Sequence, residues 1–308
     1  MQPRTTPSRT LNDLPTLGWS KPAPEAGGLR LVFEHLRRRA AHRHRFPLTE
    51  NRARYLWRAL REFPRQAAWL RLVGRSRDIR AAAEVNPALY ERWQPHYISR
   101  RFDLADRARI IESHYRFVSR EFPERLRLRL LKGHDVRLAT LPLGHGEVAY
   151  LHARAPESAQ CGELGLFLLN GQKEVIFSCS LTFAGHDGIL VGAMRGSWAY
   201  LGRAAITGFT RATGGLHPRE LLLAVVRALA TYYGVARIRG VAAVHHPLDR
   251  RAGVTPAAYD RFWRRHGGVM GGGGCYEIPV QGLPTGRLAC DAFRREACEV
   301  VLKAFQKS

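Results

Sequence analysis

The hydrophobic period of this chain changes once, near residue 134, and that change restricts the folds open to it. From 48 to 132 apolar residues recur every three or four positions, the spacing that lays one stripe along a helix. In RARYLWRALREFPRQAAWLRLVG the stripe is Tyr55, Leu56, Leu60 and Phe63, and Pro64 interrupts it because proline has no N–H for the helical ladder. Asp103 precedes LADRARIIESHYRFVSREF, where a carboxylate suits the N-cap position. Leu104, Ala108, Ile111, Tyr115 and Val118 make that helix's stripe; Pro123 ends it, and ERLRLRLLKG follows with Gly133 as its stop.

Beyond 134 the period is two. VRLATLPL, EVAYLHAR, ELGLFLL, EVIFSCSLTFA and GILVGAMRG read as short strands joined at Gly144–Gly146, Asn170–Gly171 and Asp187–Gly188. Asn-Gly and Asp-Gly favour tight hairpins, since both residues tolerate positive φ, so an antiparallel meander of about five strands is expected. Helices return at 199–212 and in PRELLLAVVRALATYYG, with Pro218 in the first turn and Gly234 closing it. VARIRGVAAV then reads as a buried strand, AYDRFWRRHGG as a short helix stopped by Gly267, CYEIPV as a last strand and CDAFRREACEVVLKAF as a final helix. The class is α+β: an N-terminal helical region, then a mixed, largely antiparallel sheet with flanking helices. The expected units are a flexible tail over 1–28, a basic helical region over 29–133 and a mixed-sheet domain over 134–308. Within 29–45, Leu29, Val32, Phe33 and Leu36 share a face; that helix suits an anionic membrane surface or packing with its basic face in water.

Charge narrows the partners. The net charge is +23, and residues 1–133 hold 29 of the 49 basic residues but only 13 of the 26 acidic ones. Such a field attracts polyanions: acyl-CoA, nucleic acid or anionic lipid. Arginine accounts for 44 of the 49, a bias that genome composition explains, but the shortage of acids is not so explained. No run of eighteen apolar residues exists and the N-terminus has no apolar signal core. A cytoplasmic location is expected, at most peripheral to the inner membrane. Five cysteines form no CxxC pair, which argues for small buried hydrophobes rather than a disulfide frame or cysteine zinc site. The 13 histidines show no HExxH or C2H2 spacing, and no P-loop, GxSxG, RNA-recognition signature or clear helix-turn-helix is present.

PRELLLAVVRALATYYGVARIRGVAAVHH, followed by AYDRFWRRHGG and CYEIPV, resembles the VirK/YbjX family of Gram-negative bacteria. PHYISRRFDLADRARIIESHYRFV resembles the family's upstream segment, and the likeness runs from about 30 to 285. The family often carries Asn where this chain has Ala242 or Ala243, whereas His246 keeps its place. The resemblance implies links to virulence, cationic antimicrobial-peptide tolerance and stress, DNA damage included, but no established reaction.

The order of meander, helix, strand, helix and strand also resembles the acetyltransferase (GNAT) superfamily, which implies an acyl-CoA cofactor with its pyrophosphate on helix N-terminal amides. The nearest match to that superfamily's loop is Arg211-Ala212-Thr213-Gly214-Gly215-Leu216, ahead of Pro218. It departs at Leu216, where the pattern wants Gly or Ala. Arg211, Gly214 and Gly215 are therefore candidate cofactor residues, and a plain loop-to-helix junction is the other reading. His245 and His246 follow a strand at its carboxyl end; His246 is a candidate base and Asp249 a candidate partner that orients it, against a polar loop beside Pro247. Tyr259, Phe262 and Trp263 share a helix face, as core or as an aromatic anchor, with Tyr259 the third candidate catalytic residue; His114 and Tyr115 carry the same two readings. Whether the chain is an enzyme stays open, with acyl transfer first and a non-enzymatic basic binder of nucleic acid or anionic membrane as rival.

Overall fold

Periodicity becomes structure in the computed structural model, which describes residues 30, 52–93, 96–196, 201–248, 256–281 and 288–307. The expected tail over 1–28, the basic helix over 29–45 apart from Arg30, and Asp249 lie outside them. Five α-helices precede the sheet among these residues: α1 (Arg52–Arg61), α2 (Phe63–Arg75), α3 (Arg77–Val85), α4 (Leu104–Glu121) and α5 (Glu124–Leu131). Pro64 sits in the first turn of α2, where its missing N–H costs nothing. Asp103 caps α4: its Oδ1 accepts the Asp106 N–H at 2.7 Å and Asp106 returns a bond to the Asp103 N–H. The stripe residues Ala108, Ile111, Tyr115 and Val118 are buried.

The meander forms as β1 (Val136–Pro142), β2 (Val148–Arg154), β3 (Leu164–Leu169), β4 (Val175–Phe183) and β5 (Ile189–Gly196), each antiparallel to the next. β3 is buried at every position, which marks a strand covered on both faces. The turns differ from expectation. At Asn170–Gly171 the loop closes over Asn170–Glu174 and Lys173, not Gly171, takes positive φ; Asn170 Oδ1 accepts the Glu174 N–H at 2.8 Å and stabilises that wider turn. At Asp187–Gly188 a single 3-10 turn replaces the tight hairpin.

Next, α6 (Gly202–Ala212) and α7 (Pro218–Tyr232) carry the chain back over the sheet, so β6 (Ile238–Val241) joins β5 in parallel, as a crossover requires. After α8 (Pro256–Arg265) come a two-residue β7 (Val269–Met270), not anticipated because it is exposed and glycine-flanked, and β8 (Cys275–Ile278), then α9 (Leu288–Lys303). β8 inserts between β6 and β7, and the eight-stranded order is β1-β2-β3-β4-β5-β6-β8-β7.

Helices and sheet share their core. Phe183 of β4 stacks on Phe117 of α4 at 4.6 Å between ring centroids, and Phe122, Tyr233 and Phe305 close around the pair. Each such ring removed from water contributes about 1.5–3 kcal/mol.

Candidate functional site

β5 and β6 pair at only three positions: Ile189 with Ile238, Leu190 with Arg239 and Val191 with Gly240. They then part. β6 stays with β8 through Val241 and Cys275, and the Ala242 N–H goes to the Gly274 carbonyl at 3.0 Å. β5 stays with β4 as far as Gly196. The cause is a bulge at Gly192, the extra residue where Val191 and Ala193 face Leu181 and Ser180; a bulge bends its strand away from its neighbour. Only glycine fits, since a Cβ there would overlap the Cys161 carbonyl. The two strands diverge toward their C-terminal ends, where sites in α/β sheets gather, and the buried side chains of Ile98, Cys161 and Tyr259 pack around the divergence.

A strap of chain, Tyr97 to Arg100, is tied to four elements around the gap. The Tyr97 hydroxyl lies 2.7 Å from Thr182 Oγ1 of β4, and the Ile98 N–H donates to Gln160 O at 2.7 Å. Ser99 Oγ donates to Gly273 O at 2.6 Å, and the Arg100 N–H to His245 O at 2.8 Å. Ile98 is fully buried with φ of 56°. A β-branched residue in the left-handed region costs about 1–3 kcal/mol and persists only where its surroundings over-determine it; these four bonds do so.

Two candidate residues meet at the gap. The His246 ring is hydrogen-bonded to the Gly192 backbone, and burial first and the Arg195 charge second hold its imidazole below the usual range. Its Nδ1 accepts the Leu248 N–H at 3.2 Å. The Tyr259 ring stands edge-on to it at 6.1 Å. Tyr259 is 7% exposed, and its hydroxyl has no hydrogen-bond partner among the described residues. Burial pushes that phenol well above its ordinary range, so it keeps its proton at neutral pH. α8 is fixed there by Asp260, whose Oδ1 accepts the Ala243 N–H at 2.8 Å, and by Trp263, whose indole N–H donates to Val241 O at 3.1 Å. Phe262 and Trp263 pack into the core.

The other candidates sit apart from these two. Arg211, Gly214 and Gly215 line an open groove of about 690 Å³ with Arg203, Thr207 and His217. The groove meets β5 through Ile206, 3.3 Å from where a Cβ on Gly196 would stand. The expectation of free amides at the glycine pair does not hold. The Gly214 N–H donates to Arg211 O at 3.3 Å and the Gly215 N–H to Thr210 O at 2.8 Å. Both glycines, at φ of 67° and 106°, cap the C-terminus of α6, and His217 Nδ1 takes the Arg219 N–H as N-cap of α7. What the groove offers an anion is side-chain charge.

One polar node was not foreseen. Arg92 Nε donates to Glu163 Oε1 at 2.6 Å and its Nη2 to Gly162 O at 2.8 Å, while the Tyr115 hydroxyl donates to Glu163 Oε2 at 2.8 Å. Arg92 and Glu163 are 9% and 4% exposed. Glu163 also ties into the strap, because its N–H and Tyr97 share Thr182 Oγ1. Beside it His114 Nδ1 accepts the Phe183 N–H at 3.1 Å, and burial with Arg92 pushes its pKa down to about 3. His114 and Tyr115 thus belong to the core. No local pattern marks the node, since Arg92 and Glu163 stand 71 residues apart; the only hint is an acid opening an all-apolar strand.

No helix among the described residues is long and apolar enough to cross a membrane, and no group of three or more His, Cys, Asp or Glu among them is placed to hold a metal ion. Neither the curated proteins nor the solved structures contain a match to this chain. Residues 38–283 match the family described as protein of unknown function DUF535. That span is most of the chain and coincides with the segment that resembles VirK/YbjX, the known DUF535 group; the chain therefore belongs to the DUF535 family.

Proposed function

We propose that the chain is an acyl-CoA-dependent acyltransferase whose cofactor enters the gap between β5 and β6. The observation that carries this reading is a parallel pair parting after three residue pairs beside a buried phenol that has a proton to give. The pantetheine arm of acyl-CoA is an extended chain with two amides. Past Val191 the β5 ladder runs to β4 alone, and an extended amide-bearing ligand can add to such an edge. The meander followed by helix, strand, helix and strand is similar to the GNAT order, a likeness that by itself carries no activity.

The acceptor's amine or hydroxyl attacks the thioester carbonyl, a C–N or C–O bond forms, and the C–S bond breaks. Tyr259 gives its proton to the leaving thiolate. His246, held neutral by burial and Arg195, takes the acceptor's proton once the Leu248 N–H releases Nδ1. Arg211 and Arg203 meet the cofactor's phosphates from the groove beside Gly196. The VirK/YbjX kinship sets such a reaction among virulence, antimicrobial-peptide tolerance and responses to stress and DNA damage.

Thermal unfolding with acetyl-CoA and longer acyl-CoAs tests the reading. At a hundredfold excess over Kd a ligand adds about 2.7 kcal/mol, a rise of roughly 5 °C for a chain of this size. A flat Tm across all chain lengths removes the proposal.

A further inference from the structure

Three of the exposed large apolar side chains crowd onto one short helix. In α1, Leu56 is 39% exposed, Trp57 57% and Leu60 59%, while Ala59 is fully buried. A surface helix of a soluble domain turns its apolar stripe inward; this one also turns an apolar face to solvent. The sequence of α1, RARYLWRALR, has four arginines and no acid. Arg61 lies 5.2 Å from the Trp57 ring. Arg107 Nη2 lies 3.1 Å from His96 Nδ1, and Arg58 of α1 and Arg100 of the strap both act electrostatically on that ring. Arg100 and Arg101 are exposed, and among the described residues no carboxylate lies within ion-pair distance of either.

We propose that α1 and the exposed end of the strap dock the protein on an anionic lipid bilayer, with Leu56, Trp57 and Leu60 in the acyl boundary and Arg100 and Arg101 on the headgroup phosphates. Charge complementarity selects this occupant, and the apolar face separates it from the others. Nucleic acid has phosphates for the arginines but leaves exposed leucines without a partner. A second copy docked about a two-fold axis sets arginines against their own images, and Glu62, the acid next to the helix, is already engaged by Arg61 and Arg65 of its own chain. A bilayer satisfies both features: apolar side chains enter the interface, and each arginine near an anionic surface adds to the attraction. On the transferase reading, a protein docked in this way has a lipid headgroup as its acceptor.

Flotation of the full chain with vesicles tests the surface without acyl-CoA, so its failure leaves the transferase reading standing, and the converse. The chain is expected to float with phosphatidylcholine–phosphatidylglycerol vesicles far better than with phosphatidylcholine alone, and less as salt rises. W57S/L60S changes an exposed pair; with a circular dichroism spectrum expected to match the wild type, it is expected to lower the vesicle affinity about tenfold or more. R100E/R101E is expected to weaken binding to the anionic vesicles alone. Equal flotation of W57S/L60S and wild type overturns the proposal. So does a wild type that shifts duplex DNA but floats with neither vesicle, or a W57S/L60S chain whose main change is from dimer to monomer in sedimentation.

Discussion

Arg92 and Arg100 lie on the same short stretch of chain and stand in opposite electrostatic circumstances. Arg92 is buried, doubly engaged by Glu163 and the Gly162 carbonyl, with Tyr115 completing the carboxylate. Arg100 is exposed; the strap holds its backbone and leaves its charge on offer. One arginine holds helices to sheet, and the other is presented by the same hydrogen-bonded framework. Charge that builds a fold is neutralised where it sits. The exposed charge stands on a scaffold held firmly enough to keep Ile98 at φ of 56°.

The contrast predicts a descending series. Glu163→Gln leaves a buried guanidinium without its anion and should cost about 3–5 kcal/mol by urea denaturation, whereas R92M/E163M should cost clearly less; equal losses would mean that packing, not charge, makes the node. His114 comes second. Its folded pKa of about 3 lies below the ordinary 6.5, so between these values the unfolded chain binds the proton. Its contribution is complete above pH 6.5 and is lost as pH falls toward 3, by about 1.4 kcal/mol per unit. His114→Gln, which keeps an acceptor for the Phe183 N–H, should flatten that slope in denaturation series between pH 7 and 4. Tyr97→Phe removes one tie of the strap and should cost about 1 kcal/mol; a loss below 0.3 would show that Thr182 does not anchor it. R100A/R101A should change stability by less than about 0.5 kcal/mol, and a larger loss would place these arginines with Arg92.

Local rules carried much of the fold into the sequence. The meander was legible because the period of two is a property of each strand alone, and the Asp103 cap because its partner is three residues away. The order of the last strands was not legible, since insertion of β8 between β6 and β7 is set by packing. His246 and Tyr259 were candidates read from a strand end and a helix face, and the fold brings their rings to 6.1 Å. The glycine pair misled: a loop before a helix looks the same whether its amides face a ligand or finish the preceding helix, and the carbonyls of Thr210 and Arg211 decided for the latter. Neither the Gly192 bulge nor the Arg92–Glu163 node could be read locally, because the residues that give them meaning, Cys161 and Glu163, come from distant sequence.

Amide hydrogen exchange with and without an acyl-CoA tests the location of the site most directly. Slowed exchange confined to Gly192–Gly196, the end of β6 and the N-terminal turns of α8 is the expected result. Protection that falls elsewhere, or none at saturating ligand, contradicts the assignment of the β5/β6 gap.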